Sequence, residues 1–188
     1  MNDHKGFFAM MARMKYIERW ALMRNSVSEN ICEHSLEVAM LAHGLGIIGR
    51  KRFGKDLSPE RLAMLGMYHD CTEIITGDMP TPVKYANDEL KEAYKAIEDS
   101  AAHRLLEMLP EDLRAEYESY FLPEQITPEE YRYVKAADKL SALIKCIEEE
   151  KTGNQEFRSA KQATYESLQQ MNMPEVTVFC EVFLPEYY

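Results

Sequence analysis

The stretch SPERLAMLGMYHDCTEII, residues 58–75, decides how this chain is read. It opens as a helix opens. Ser58 can accept a hydrogen bond from the first turn, and Pro59 fits the first helical position, where its missing N–H has no partner to lose. Leu62, Ala63, Met64, Leu65, Met67 and Tyr68 follow as a nearly unbroken apolar run, the pattern of a helix buried on most sides. His69 and Asp70 interrupt that run. Burying an imidazole and a carboxylate without partners costs on the order of several kcal/mol. A metal ion bound by both offsets that cost. Glu73 comes three residues after Asp70 and four after His69, so a helix running on to about Ile75 carries all three on one face.

Working outward, the same helical signals recur. A first helix is expected from roughly Lys5 to Met23, with Phe8, Met11, Ala12, Ile17 and Trp20 as its apolar residues and Arg24-Asn25-Ser26 as its end. A second starts between Ser28 and Asn30 and runs to about Arg52. Its apolar residues, Leu36 to Leu45, fall nearly all round, and His34 stands at its polar start. Downstream, Gly77-Asp78-Met79-Pro80-Thr81-Pro82 forces an irregular loop, because two close prolines remove donors and restrict their neighbours. Helices follow from about Asn87 to Met108 and from Pro110 to Phe121. Thr127-Pro128-Glu129-Glu130 is a capping box that starts another, reaching about Glu150. Gly153-Asn154 precedes a last long helix to about Met171. The tail, Val176 to Phe183, is apolar, and periodicity leaves it open between a strand-like and a helical segment. The fold class is all-α, a helical bundle in a single domain spanning residues 1–188.

Composition narrows the function. The formal net charge of −10 argues against a duplex nucleic-acid binder, which needs a basic face to neutralise phosphates. It leaves room for a small phosphorylated substrate at one locally positive cleft. The four cysteines, Cys32, Cys71, Cys146 and Cys180, show no C-x-x-C spacing and fit reduced thiols in a cytoplasmic protein. Arg13, Lys15, Glu18 and Arg19 break up any signal-like N-terminal stretch, and no window is expected to reach the length of a membrane-spanning helix.

Taken singly, the polar residues allow plain readings. His34 alone reads as a hydrogen-bonded histidine, and His43 and His103 have no role. On a helical wheel Asp138 falls away from the Tyr133, Ala137, Leu140, Ile144 stripe and reads as a solvated aspartate. Trp20 fits a core anchor as well as a ligand wall. The strings Arg19-Trp20, Glu33-His34-Ser35-Leu36, Met67-Tyr68-His69-Asp70 and Thr76 through Tyr85 together carry more. With Lys135-Ala136-Ala137-Asp138 and Gly153-Asn154-Gln155-Glu156-Phe157, they closely resemble the bacterial 5'-deoxynucleotidase family of the HD-domain phosphohydrolase superfamily, including its YfbR members.

That resemblance implies an HD-domain helical bundle in which His34, His69, Asp70 and Asp138 bind one divalent metal. It implies Glu73 as the catalytic carboxylate, joined by Arg19. Arg19, Trp20 and the loop of Asp78, Met79, Pro80 and Thr81 would hold a 2'-deoxynucleoside 5'-monophosphate. Two nitrogens and two carboxylates suit cobalt, manganese, zinc or iron. Arg19 offers a planar fork to phosphate oxygens, and Lys84 reads as a solvated lysine that could add charge. Cys71 departs from the small non-thiol residue expected beside the ligands and reads as a buried filler. The resemblance also implies a homodimer. The alternatives are another HD phosphohydrolase chemistry, on a cyclic or pyrophosphorylated nucleotide, and a non-enzymatic helical module whose HD residues are structural.

Overall fold

The structure, a computed structural model, describes residues 6–84 and 86–188, and of Thr81 the backbone only. The expected helix start at Lys5 and the Tyr85 of the family string lie outside the described residues. Among the described residues all named elements are helical, and the one β-bridge joins Glu18 to Asn30. The α-helices are α1 (Phe7–Met11), α2 (Ile31–Phe53), α3 (Pro59–Tyr68), α4 (Glu73–Thr76), α5 (Thr81–Lys84), α6 (Asp88–Leu106), α7 (Glu111–Phe121), α8 (Pro128–Lys151), α9 (Arg158–Gln170) and α10 (Pro174–Val182).

Helix α2 is the centre of the packing. Asn30 caps it, accepting from the Cys32 and Glu33 N–H groups while Glu33 reaches back to the Asn30 N–H. Its long apolar faces meet α3 and α8, and α9 and α10 close the outside. Val38, Ala42, Leu45, Leu62, Leu140 and Ile144 form the heart of that core. A second apolar cluster joins α1, α6 and α7 around Phe7, Leu105 and Phe121, with Cys71 at its edge. Two glycines let α2 and α3 approach closely. A Cβ on Gly46 would come within 2.8 Å of Leu62 Cδ1, and one on Gly66 within 3.0 Å of the Ala39 backbone. That approach brings the end of α3 beside the first turn of α2.

Several expectations need correction. The N-terminal helix does not run to Met23. Only α1 and a 3-10 turn, Ala12–Tyr16, form; residues 17–19 then pair with 29–31 through Arg19 N–H to Glu29 O (2.9 Å) and Ile31 N–H to Ile17 O (3.0 Å). Helix α3 ends at Tyr68 rather than near Ile75. Residues 69–72 form a tighter turn, with Glu73 N–H bonded to Asp70 O three residues back. The tail is helical, as α10. Helix α2, with 23 residues, does reach the length and hydropathy of a membrane span, against expectation. Half of that window is buried inside this fold, so it is accounted for as the core helix.

Candidate active site

Three helices deliver the polar residues to one place. His34 comes from the first turn of α2, His69 and Asp70 from the turn after α3, and Asp138 from α8. His34 Nε2 lies 3.5 Å from Asp70 Oδ2 and 3.3 Å from Asp138 Oδ1. His69 Nε2 lies 3.0 Å from Asp70 Oδ2 and 4.0 Å from Asp138 Oδ1. Donor atoms of His34, His69 and Asp70 all fall within 4.8 Å of one another. Both Nε2 atoms are buried, and neither makes a hydrogen bond of good geometry.

The opposite nitrogens fix the tautomers. His69 Nδ1 is 2.7 Å from the Gly66 carbonyl, which only accepts, so Nδ1 carries the proton and Nε2 the lone pair. The Ser141 hydroxyl donates to Glu37 (2.5 Å), so its oxygen accepts from His34 Nδ1 at 2.9 Å. Glu29 Oε1, 3.4 Å away, is a second acceptor for that N–H. Both rings therefore turn a lone pair toward the carboxylates, held by outer partners as metal-binding histidines usually are. Two imidazole nitrogens and two carboxylates, with buried and unbonded lone pairs, fit a divalent cation.

Without an ion, the imidazoles and carboxylates of the cluster shift one another's titration. Burial resists the charge on Asp70, but His69 outweighs it and holds the carboxyl well below its usual range. Asp138 is also held low: Lys135, 3.3 Å from Oδ2, and His34 outweigh its burial. Burial works against a charged His34, yet Asp138 and Glu29 raise its pKa.

Glu73, at the start of α4, is buried, and its Oε2 has no hydrogen-bond partner. Burial and then Asp70 and Asp78 push its pKa up to about 10. Arg19 enters from the 17–30 segment, with Nη1 3.4 Å from Asp70 and Nε 3.6 Å from Glu29. Asp78 sits in the same field: burial raises its pKa, and Arg19 and the Trp20 backbone N–H pull against that. Trp20 has φ +60°, donates its indole N–H to Glu29 at 2.7 Å and packs on Phe157 with ring centroids 5.3 Å apart.

Of the remaining sequence candidates, Met79 and Pro80 are half-buried in the loop before α5, and the Thr81 side chain lies outside the described residues. Lys84 is not a free lysine; it pairs with Glu98 at 2.8 Å above the Tyr94 ring. Cys71 is buried, and burial pushes its thiol up, away from the reactive thiolate. His43 and His103 are exposed. Glu29, Glu37 and Ser141 were not singled out by sequence. Their partners lie up to 107 residues away, and no local pattern marks them.

Comparison with known proteins gives the family and the fold. The family model described as 5'-deoxynucleotidase YfbR-like matches residues 6–187. A 5'-deoxynucleotidase of Vibrio cholerae serotype O1 is 48% identical over 181 residues, 96% of this chain and 93% of its own. The 5'-deoxynucleotidase YfbR of Shigella boydii is 46% identical, over 97% of this chain and 92% of its own. Among solved structures, an HD-domain phosphohydrolase from Listeria innocua superposes with a TM-score of 0.83 at 23% identity, covering 96% of this chain and 87% of that one. The cyanophage S-2L HD phosphohydrolase DatZ, bound to dA and one catalytic Zn2+, superposes with a TM-score of 0.68 at 21% identity, covering 95% and 96%. These two structures share the fold of this chain.

Proposed function

The chain belongs to the YfbR-like 5'-deoxynucleotidase family, and we propose on that premise that it hydrolyses 2'-deoxynucleoside 5'-monophosphates to deoxynucleosides and phosphate. The observation that carries the reading is the pair of buried, unbonded Nε2 atoms of His34 and His69 facing Asp70 and Asp138. Those four residues would hold one divalent ion; the donor set suits cobalt, manganese, zinc or iron. Such an ion supplies Lewis acidity at a phosphate oxygen and lowers the pKa of water.

The chain's own residues supply the rest. Arg19 presents a planar guanidinium beside Asp70, suited to a phosphate dianion arriving at the cluster. Glu73, buried beside the cluster with one carboxylate oxygen free of hydrogen bonds, can take a proton from water or deliver one to the departing 5'-oxygen. Trp20 is held rigidly by Glu29 and Phe157 and can wall off the space of a 2'-hydroxyl, since indole offers no acceptor. The 78–81 loop would cover the nucleotide from the α5 side.

In this reading residues 1–188 act as one domain, in the cytoplasm, with reduced cysteines. Exposed Leu36 and Met40, one turn apart on α2, and Val182 and Phe183 at the end of neighbouring α10 support a homodimer interface. Family membership favours a monophosphate substrate over a cyclic or pyrophosphorylated nucleotide. The test is a panel of deoxy- and ribonucleoside monophosphates, cyclic nucleotides and pyrophosphorylated nucleotides with each metal, reading free phosphate beside nucleotide and pyrophosphate products. Release from deoxynucleotides is expected. Turnover only of cyclic or pyrophosphorylated substrates would overturn the reading.

A further inference from the structure

Glu29 stands just before α2, in the same 17–30 segment as Arg19 and Trp20, and its carboxylate faces three residues of the proposed site, Trp20, Arg19 and His34. Oε2 accepts the Trp20 indole N–H at 2.7 Å and stands 3.6 Å from Arg19 Nε. Oε1 stands 3.4 Å from His34 Nδ1. The side chain is 13% exposed, so these contacts are largely shielded from water. The Glu29 backbone works in the same direction, because its carbonyl accepts the Arg19 N–H at 2.9 Å.

Trp20 needs such a hold. Its φ of +60° is a conformation that a bulky aromatic residue rarely adopts, so surrounding contacts must maintain it. The Trp20 carbonyl accepts from Met23 N–H at 2.8 Å, and the indole is fixed at its far end by Glu29. We propose that Glu29 is a positioning residue that locks Trp20 and Arg19 to the metal-site histidine His34 and thereby sets the discrimination between deoxyribose and ribose. The inference rests on the reading in which Arg19 and Trp20 face the nucleotide.

The chemistry of the carboxylate makes the idea testable. Its two oxygens serve two N–H donors on opposite sides. An amide of the same shape has one acceptor oxygen, and its NH2 must face either the indole N–H or the imidazole N–H. Glu29→Gln therefore breaks one of the two links while keeping the volume, and Glu29→Ala breaks both.

The experiment measures thermal unfolding, direct metal titration of the apoprotein, and kcat/KM for a matched deoxy and ribo monophosphate, on wild type and both variants. The inference expects folded Glu29→Gln protein whose deoxy-to-ribo ratio narrows by up to about tenfold, the scale of one unmade buried hydrogen bond, according to which link the amide keeps. It expects Glu29→Ala to narrow the ratio further and to bind metal about 10-fold or more weakly, as loss of an outer histidine partner does. An unchanged ratio in folded variants would overturn it and leave Glu29 as a loop-holding residue. Wild-type protein without deoxynucleotide turnover would remove the underlying reading instead; the metal titration would still decide whether Glu29 holds His34.

Discussion

Asp138 and Glu149 stand on the same helix, α8, Glu149 buried and Asp138 half-buried, but their surroundings differ in kind. Glu149 is saturated. It accepts from Lys145 Nζ at 2.5 Å, Ser26 N–H at 2.8 Å, Val27 N–H at 3.2 Å and Asn154 Nδ2 at 2.8 Å. Against its burial, Lys145 and Asn154 bring its pKa down to about 2. Asp138 faces His34 and His69, whose Nε2 lone pairs are left without a hydrogen bond. A buried charge with all its partners in the chain is architecture; here it ties the 26–27 backbone to α8. A half-buried charge facing buried, unsatisfied lone pairs points to a ligand that completes the set.

The comparison is broken most severely by removing what completes the open cluster. Chelation should abolish phosphate release, and cobalt or manganese should restore it. Asp70→Asn replaces a charged donor by a neutral amide and should lower kcat/KM by on the order of 10³-fold or more, together with metal affinity. Full turnover by metal-free protein would contradict this.

At the closed cluster the damage should fall on stability. Glu149→Ala leaves Lys145 buried without its partner and should cost about 3–5 kcal/mol in urea unfolding, while the folded fraction keeps its metal affinity. Acid carries the same sign. The folded pKa is depressed from 4.5 to about 2, so Glu149's contribution is full above about pH 4.5 and fades as pH falls toward 2. Glu149→Gln should flatten that part of the stability profile.

Smaller effects sharpen the boundary between holding the ion and using it. Glu73→Ala should retain metal and nucleotide binding but turn over about 10²-fold more slowly. Loss of the metal in that variant would make Glu73 a ligand instead. Trp20→Ala should narrow the deoxy-to-ribo ratio of kcat/KM by about tenfold, partly by raising ribonucleotide turnover. If both substrates fall equally, the indole only packs against Phe157.

The legible parts of this molecule are those with local causes. The starts of α3 and α8 follow from Ser58-Pro59 and from Thr127-Pro128-Glu129-Glu130, whose capping bonds form as the spacing predicts. His69-Asp70 stands out because polar residues interrupt an apolar run. What stayed hidden depends on distant partners. The apolar residues from Phe8 to Trp20 mimic a helix, but pairing between residues 17–19 and 29–31 ends it at Tyr16, and no propensity marks Trp20 for a left-handed backbone. The wheel rightly turns Asp138 away from the α8 core stripe; only the tertiary approach of α2 and α3 puts histidines there in place of solvent. Glu29 is silent in sequence for the same reason.

The central claim is that the open cluster, and not the closed one, holds the ion. Elemental analysis of wild-type, Asp138→Asn and Glu149→Gln proteins, each loaded with the same divalent metal and desalted, tests it most directly. The account predicts about one ion per chain in wild type and Glu149→Gln, and a large loss in Asp138→Asn. Wild-type metal content in Asp138→Asn would contradict it.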